Sequence, residues 1–381
     1  MSAALTVPSS VEECRTAFRE WLEANRAALE EFRDPGSQVD EVFSRLRRLQ
    51  QLLYEAGWIR LGWDQSVGGL GGNAIMRSIV SEELAAAGYP PPFSFATQEV
   101  LGPAVAKYAR PELAAEVMPR LLRGDESWCQ GFSEPGAGSD LASMRLKAVP
   151  DGDDWVVTGE KIWTSWAQFA DRCFLLARTG EPDSGYRGIT AFLLDMGTPG
   201  IEVALLRSMD GQDEFCSLYF DSVRIPGDRV LGRVNGGWSI AMSVLAGERG
   251  AAAWQRQTWL RSRLDDLAAV LGATTDQQLG ESLELLHAMR LLSRRTVRSL
   301  SEGRSPGMTP SLDKLAMSTA EKFLFDTALA GLGDQVVLGT DKVSLDWRSD
   351  YLYSRASSIY GGAAEIQRNI IAERILGLPR G

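Results

Sequence analysis

Four short segments carry residue types that could do chemistry. Phe132–Asp140 reads FSEPGAGSD. Two glycines among small hydroxyl residues let a backbone approach a phosphate closely and aim N–H groups at it. Loops of this kind are more often plain turns. No GK[ST] follows, so the segment is not a P-loop. It lacks GxGxxG and leads into a strand, so it is not a dinucleotide fingerprint either. Gly159–Trp166 reads GEKIWTSW. A tryptophan followed by two hydroxyl residues at a strand end offers a flat face and two donors, which suits an aromatic cofactor. A core aromatic beside solvent-facing Thr and Ser would read the same way. The third segment is Gly247-Glu248-Arg249, within a long helical pattern. A carboxylate on a rigid helix can serve as a general base when burial tunes it, although exposed Glu-Arg pairs are far commoner. The fourth is Ile359–Arg374, IYGGAAEIQRNIIAER, where Gly361-Gly362 permits a tight turn before a short amphipathic helix.

Composition removes other chemistries. The chain has 381 residues and one histidine, His287. That excludes HExxH sites, zinc-histidine clusters and facial triads, and it predicts no metal site. His287 itself reads as a residue on the flank of an amphipathic helix. The four cysteines, Cys14, Cys129, Cys173 and Cys216, form no CxxC and read as reduced, mostly buried thiols. Lys+Arg is 40 against Asp+Glu 50, a net −10 with no basic run, so nucleic acid is not an expected partner. The opening MSAALTVPSSVEEC has neither basic nor apolar character, so it does not read as a signal peptide. No apolar run approaches a membrane span, and the expected location is the cytoplasm.

The elements that must position these segments fall into three stretches. Apolar spacing predicts one helix from Val11 to Phe32 with Ser9 or Ser10 as N-cap, and another from Val39 to Ala56 stopping at Gly57. A glycine-rich loop, Trp63–Gly72, follows, then helical patterns at Asn73–Ala87 and between Val100 and Leu122. Near Ser127 the pattern turns to strands. A hairpin at Asp151-Gly152 joins Arg145–Val149 to Trp155–Thr158. Further strands are predicted at Arg172–Arg178, Ile189–Asp195, Ile201–Leu206 and Cys216–Val223. Short strands at this spacing suggest a small barrel or sandwich. Helices resume at Trp238–Leu271 and Asp276–Ser301. Leu312, Leu315, Ala316, Ala320, Phe323, Leu324 and Ala328 form a stripe of a third. Leu345–Ser358 and Ala363–Leu376 complete the set.

Taken together the segments resemble the acyl-CoA dehydrogenase family. EPGAGSD, then GEKIWTS, then YGGAAEIQRNIIAERILG form an ordered set that covers nearly the whole chain, with VGGLGG near Gly68 and the helix–β–helix layout. The resemblance implies an α+β fold: an N-terminal helical domain over 1–125, a middle β-barrel-like domain over 126–235 and a C-terminal four-helix bundle over 236–381. It implies FAD and an acyl-CoA substrate. A carboxylate removes a proton from Cα while hydride passes from Cβ to flavin N5, and hydrogen bonds to the thioester carbonyl stabilise the developing enolate. Electrons then leave to an electron-transferring flavoprotein.

Residue by residue, Ser133 falls where the family's Thr or Ser hydroxyl meets the isoalloxazine edge, with Gln130 and Phe132 before it on the same strand. Gly138 and Ser139 fall in the loop near cofactor and substrate phosphates. Trp163 matches the tryptophan beside the flavin, and Thr164 and Ser165 the pair reaching its edge near N5. Many members place the catalytic glutamate directly after the tyrosine of the C-terminal turn, but Tyr360 is followed by Gly361. A bacterial type carries it instead on the first long C-terminal-domain helix, within a Glu-Arg pair, which is where Glu248-Arg249 lies. Glu248 is therefore the implied base; Arg249 matches the neighbouring arginine, more structural than chemical, and is counted with Ser139 as substrate-binding. Glu365 and Asp350 are weaker candidates, expected to point away from the flavin.

Departures from the family carry information too. The RxxFG stretch whose arginine reaches another subunit's FAD is replaced by DQQLGES over Asp276–Ser282. The QxxGG pyrophosphate contact becomes Gln335–Thr340, QVVLGT, and Ala363 replaces a hydroxyl residue. Half of an FAD site is thus retained and the half given in trans is lacking. This resembles α2β2 heterotetramers formed with a sister chain in bacterial catabolism of bulky lipids such as steroid side chains. A homo-oligomer is the alternative. A flavin oxidase or monooxygenase on the same fold, an acyl carrier protein thioester as substrate, and a non-catalytic partner subunit are the other readings.

Overall fold

The computed structural model describes residues 5–34, 36, 39–93, 95–272, 277–304 and 306–379. Two compact units emerge. The second holds Ser81–Ala87, Met209–Gln212 and the chain from Ala246, and the first holds the rest.

The first unit opens with helices α1 (Val11–Ala24), α2 (Arg26–Leu29), α3 (Val39–Glu55), α4 (Ala74–Ala86, its end in the second unit), α5 (Phe95–Val100), α6 (Gly102–Tyr108) and α7 (Pro111–Arg123). Ser10 caps α1 by accepting from the Glu13 N–H at 3.1 Å, and Cys14, Phe18 and Leu22 bury one face at four-residue spacing. The single helix expected over Val11–Phe32 breaks at Asn25. Its side chain donates to the Trp21 carbonyl at 2.8 Å, offering the backbone an alternative to the helical ladder. The pattern between Val100 and Leu122 likewise divides. Arg110 precedes Pro111 and is held extended, because the proline ring clashes with a helical residue before it.

Eight strands follow: β1 (Trp128–Gly131), β2 (Lys147–Asp151), β3 (Asp154–Ser165), β4 (Arg172–Arg178), β5 (Ile189–Asp195), β6 (Ile201–Leu206), β7 (Phe215–Ile225) and β8 (Val230–Leu231). They form one mixed sheet in the order β6-β7-β3-β2-β4-β5-β8, with β1 parallel to β4. The β2–β3 hairpin turns at Gly152, whose φ of +65° is left-handed. Residues from every long strand meet in a single core, among them Ala148, Val157, Cys173, Phe192, Leu218 and Val223, so the sheet curls around its own interior. All four cysteines are free and buried, and Cys129 and Cys173 are register partners on β1 and β4.

The second unit is helical: α8 (Gly237–Leu271, begun in the first unit), α9 (Gln277–Ser301), α10 (Pro310–Leu332), α11 (Asp334–Leu338), α12 (Lys342–Ser354) and α13 (Ala364–Ile370). Asp276, the expected start of α9, lies outside the described residues. Leu260 and Leu264 of α8, Leu286 and Met289 of α9, Leu324 and Phe325 of α10, and Trp347 of α12 share one core. His287 is exposed on α9, as its flank position predicts. α10 differs from its expected amphipathic form. Beyond the apolar stripe, Asp313, Lys314 and Glu321 are fully buried, because α10 is packed on nearly every side. Among the described residues no helix is long and apolar enough to cross a membrane, and no cluster could hold a metal ion.

Candidate active site

In the first unit a buried ion pair ties the two glycine-containing motifs together. Glu134 of FSEPGAGSD accepts from the backbone N–H groups of Arg145 (2.6 Å) and Leu146 (3.0 Å) and from Lys161 Nζ of GEKIWTSW (2.8 Å). Lys161, wholly buried, also donates to the Phe132 carbonyl at 3.0 Å. Burial pushes the Lys161 ammonium below its ordinary range, while Glu134 pulls the other way. The Ile162 N–H donates to the Ser133 carbonyl at 2.9 Å, so the segments run side by side. Neither charge stands out in sequence except as a fixed letter within its motif.

The paired motifs present an open surface. A Cβ added at Gly136 or Gly138 would meet nothing within 4 Å, and Ser139 is exposed. The β3–β7 register slips between Lys161 and Thr164. Trp163 sits in that bulge with φ +61°, 59% exposed, touching Phe215 edge-on at 5.8 Å. Bulges re-aim side chains in this way, and here the result is an uncovered indole face. Gln130, Ser133 and Ser165 are half-buried.

One expected placement is corrected, and two of the expected site side chains are buried. β1 ends at Gly131, so Phe132 and Ser133 lie beyond it rather than on it, and the Phe132 ring is buried against Phe174 at 5.8 Å. Thr164 is fully buried opposite Cys216, and its hydroxyl has no hydrogen-bond partner.

In the second unit, Glu248 and Arg249 of α8 converge on the C-terminal turn. Arg249 Nε donates to the Gly361 carbonyl at 3.1 Å. Gly361 and Gly362 have φ of +62° and +101°. A Cβ at Gly361 would lie 3.2 Å from Glu248 Oε1 and 3.7 Å from Lys314 Nζ. One at Gly362 would lie 2.3 Å from Gln367 Nε2. The turn therefore needs glycine for its backbone and for its surroundings.

Lys314, 1% exposed, donates to the Ser357 carbonyl at 2.7 Å and lies 3.9 Å above the Tyr360 ring. Burial pushes its ammonium down to about 8, with Glu248 and Glu321 opposing and Arg249 and Arg256 reinforcing the fall. Burial also lowers Arg249, with Glu248 opposing. Arg256 forms a two-point pair with Glu321 at 2.7 and 3.0 Å, which outweighs burial and raises its pKa. The two weaker base candidates have other partners. Asp350, pushed up to about 6 by burial, pairs with Arg263 at 2.8 Å, and Glu365 is exposed beside Arg368.

Three family models match in series. The acyl-CoA dehydrogenase N-terminal domain covers residues 9–125, the middle domain 129–223 and the C-terminal domain 235–376. The chain belongs to the acyl-CoA dehydrogenase family. Members of that family are oxidoreductases that depend on FAD. Acyl-CoA dehydrogenase IpdE1 of Mycobacterium tuberculosis is 37% identical over 97% of this chain and 98% of its own length. Among solved structures, the Tcur3481-Tcur3483 steroid ACAD is similar with a TM-score of 0.80, at 26% identity and full coverage of both chains. The ChsE4-ChsE5 complex from Mycobacterium tuberculosis is similar with a TM-score of 0.79, at 27% identity, again over the full length of both chains.

Proposed function

We propose that this chain catalyses the FAD-dependent α,β-dehydrogenation of an acyl-CoA thioester, with Glu248 removing the Cα proton. Bound FAD would supply the acceptor for the hydride that leaves Cβ. Trp163 supplies an uncovered aromatic face for the ring, and the hydroxyls of Ser133 and Ser165 supply hydrogen bonds at its edge, beside Gln130. The open backbone at Gly138 and Ser139 suits phosphate oxygens. An exposed indole next to a loop without side chains in its path fits that cofactor. Arg249 anchors the Gly361 turn from the substrate side.

The observation that carries this reading is Glu248 Oε1 lying 3.2 Å from where a Cβ on Gly361 would sit. Members with glutamate after the turn tyrosine deliver a carboxylate from that backbone position. Here an α8 side chain reaches the space beside that position instead.

The chain is best read as one half of an α2β2 assembly with a sister chain, which passes electrons to an electron-transferring flavoprotein in the cytoplasm. The missing arginine in DQQLGES, the lone glycine in QVVLGT and Ala363 support this. So do two structural neighbours named as pairs of proteins. A neighbour named a steroid ACAD favours a bulky, ring-bearing acyl group.

The test is anaerobic mixing of the flavin-loaded enzyme with acyl-CoA thioesters, from short linear chains to one bearing a steroid ring. Bleaching of the flavin band and a product lighter by two hydrogens are expected. No bleaching with any thioester would overturn the reading, and rapid reoxidation by oxygen would point to an oxidase.

A further inference from the structure

We infer that Lys314 is the positioning residue for Glu248, holding its carboxylate ionised and against the Gly361 turn. This rests on the reading of Glu248 as the base. Glu248 Oε1 and Lys314 Nζ both lie within 4 Å of one point, the missing Cβ of Gly361. The ammonium is fixed from two further directions, by its bond to the Ser357 carbonyl and by the Tyr360 ring beneath it. Both anchors belong to the segment that forms the turn, so one cation couples the turn to the carboxylate.

Two other cations lie near Glu248, and Arg249 also feels its charge. Arg249 spends its Nε on the Gly361 carbonyl, and its Nη2 lies 3.4 Å from the Cβ position of Gly362. Arg256 of α8 is paired at two points with Glu321 of α10 and stacks 3.8 Å over Trp259. Tyr360 and Tyr353 also act on Arg256, and Arg256 in turn acts on Asp350. For the buried Lys314 ammonium, too, the strongest favourable influence is Glu248, and unlike Arg249 it is also anchored on Ser357 and Tyr360. In a poorly solvated interior an opposite charge at this range favours the ionised carboxylate. A buried base lacking that cation would hold a proton at neutral pH and could not accept one from substrate.

Titration of the two groups in the flavin-loaded enzyme tests this. Glutamate is labelled with 13C at its side-chain carboxyl, and the signal missing in Glu248→Gln identifies Glu248. Lys314→Met, which keeps length and removes charge, is expected to raise the Glu248 midpoint by about one pH unit, and Lys314→Arg to restore it. An unchanged midpoint in Lys314→Met overturns the inference.

Should Lys314→Met fail to fold, the reciprocal measurement decides. Lysine labelled at Cε, with Lys314 assigned by Lys314→Arg, should titrate near pH 8 and move lower by a comparable amount in Glu248→Gln. A Lys314 midpoint indifferent to Glu248→Gln overturns the inference. Flavin reduction by Glu248→Gln separates the two claims. If it persists, the base assignment fails. If it is lost while the two titrations are independent, only the Lys314 inference fails.

Discussion

Lys161 and Glu134 stand 27 residues apart in sequence and meet at 2.8 Å, both buried, joining the two motif segments of the sheet unit. A pair sealed from water is an organising device more than a source of net stability, since desolvation offsets most of the attraction. Its cost appears when one partner is removed.

Lys161→Met strands the Glu134 carboxylate with only the Arg145 and Leu146 N–H groups. The expected loss is about 3–5 kcal/mol of unfolding free energy, read by urea titration. A loss near zero would mean that water or rearrangement compensates Glu134, and that the two motifs do not depend on this tie.

Trp163→Ala should separate stability from cofactor affinity. The indole is 59% exposed, so the melting temperature should hardly move. Loss of its face should weaken FAD binding about tenfold, measured by flavin retention through gel filtration and by titration of the apoprotein. Unchanged affinity would remove Trp163 from the cofactor site.

Gly361→Ala imposes a side chain where φ is +62° and where Glu248 Oε1 would be 3.2 Å away. The backbone cost is about 1–2 kcal/mol. The methyl group should also displace the carboxylate and slow flavin reduction by more than Ala at exposed Gly280 does. Equal rates in the two variants would show that the carboxylate does not need its place beside this glycine.

Asp313 provides a pH test. Burial raises its carboxyl to about 6, against an ordinary 3.8, despite the Thr296 hydroxyl bonded to it and the nearby Arg295. A raised acid contributes stability in full below about pH 4 and loses it as pH climbs through about 6, because the unfolded chain ionises first. Asp313→Asn cannot ionise. Relative to wild type it should gain on the order of 2 kcal/mol between pH 4.5 and 7.5. The check is the urea midpoint at both values, and a pH-independent difference would contradict it.

Much of the frame was legible because local patterns decide it. Strand-like runs marked Arg172–Arg178 and Ile189–Asp195, both strands that the structure buries, and Gly57 marked a helix end. Ser10 was one of two candidate caps. What stayed hidden depends on distant neighbours. Asp313, Lys314 and Glu321 look like the solvated face of α10 until α8, α9 and the C-terminal turn cover them. The bulge that turns Trp163 outward and Thr164 inward arises from pairing with β7, some fifty residues on. Likewise, of two adjacent letters of a motif, Ser133 stays half-buried while Glu134 is drawn inside to Lys161 and the Arg145 and Leu146 N–H groups.

The central claim is that Glu248 takes the substrate proton, and anaerobic rapid mixing of flavin-loaded Glu248→Gln with a thioester that bleaches the wild type tests it most directly. The account predicts retained flavin, retained melting temperature and a rate of reduction about a thousandfold or more lower, the amide being unable to accept a proton. Reduction within a few-fold of wild type would contradict it and return the search to the other carboxylates of the helical unit.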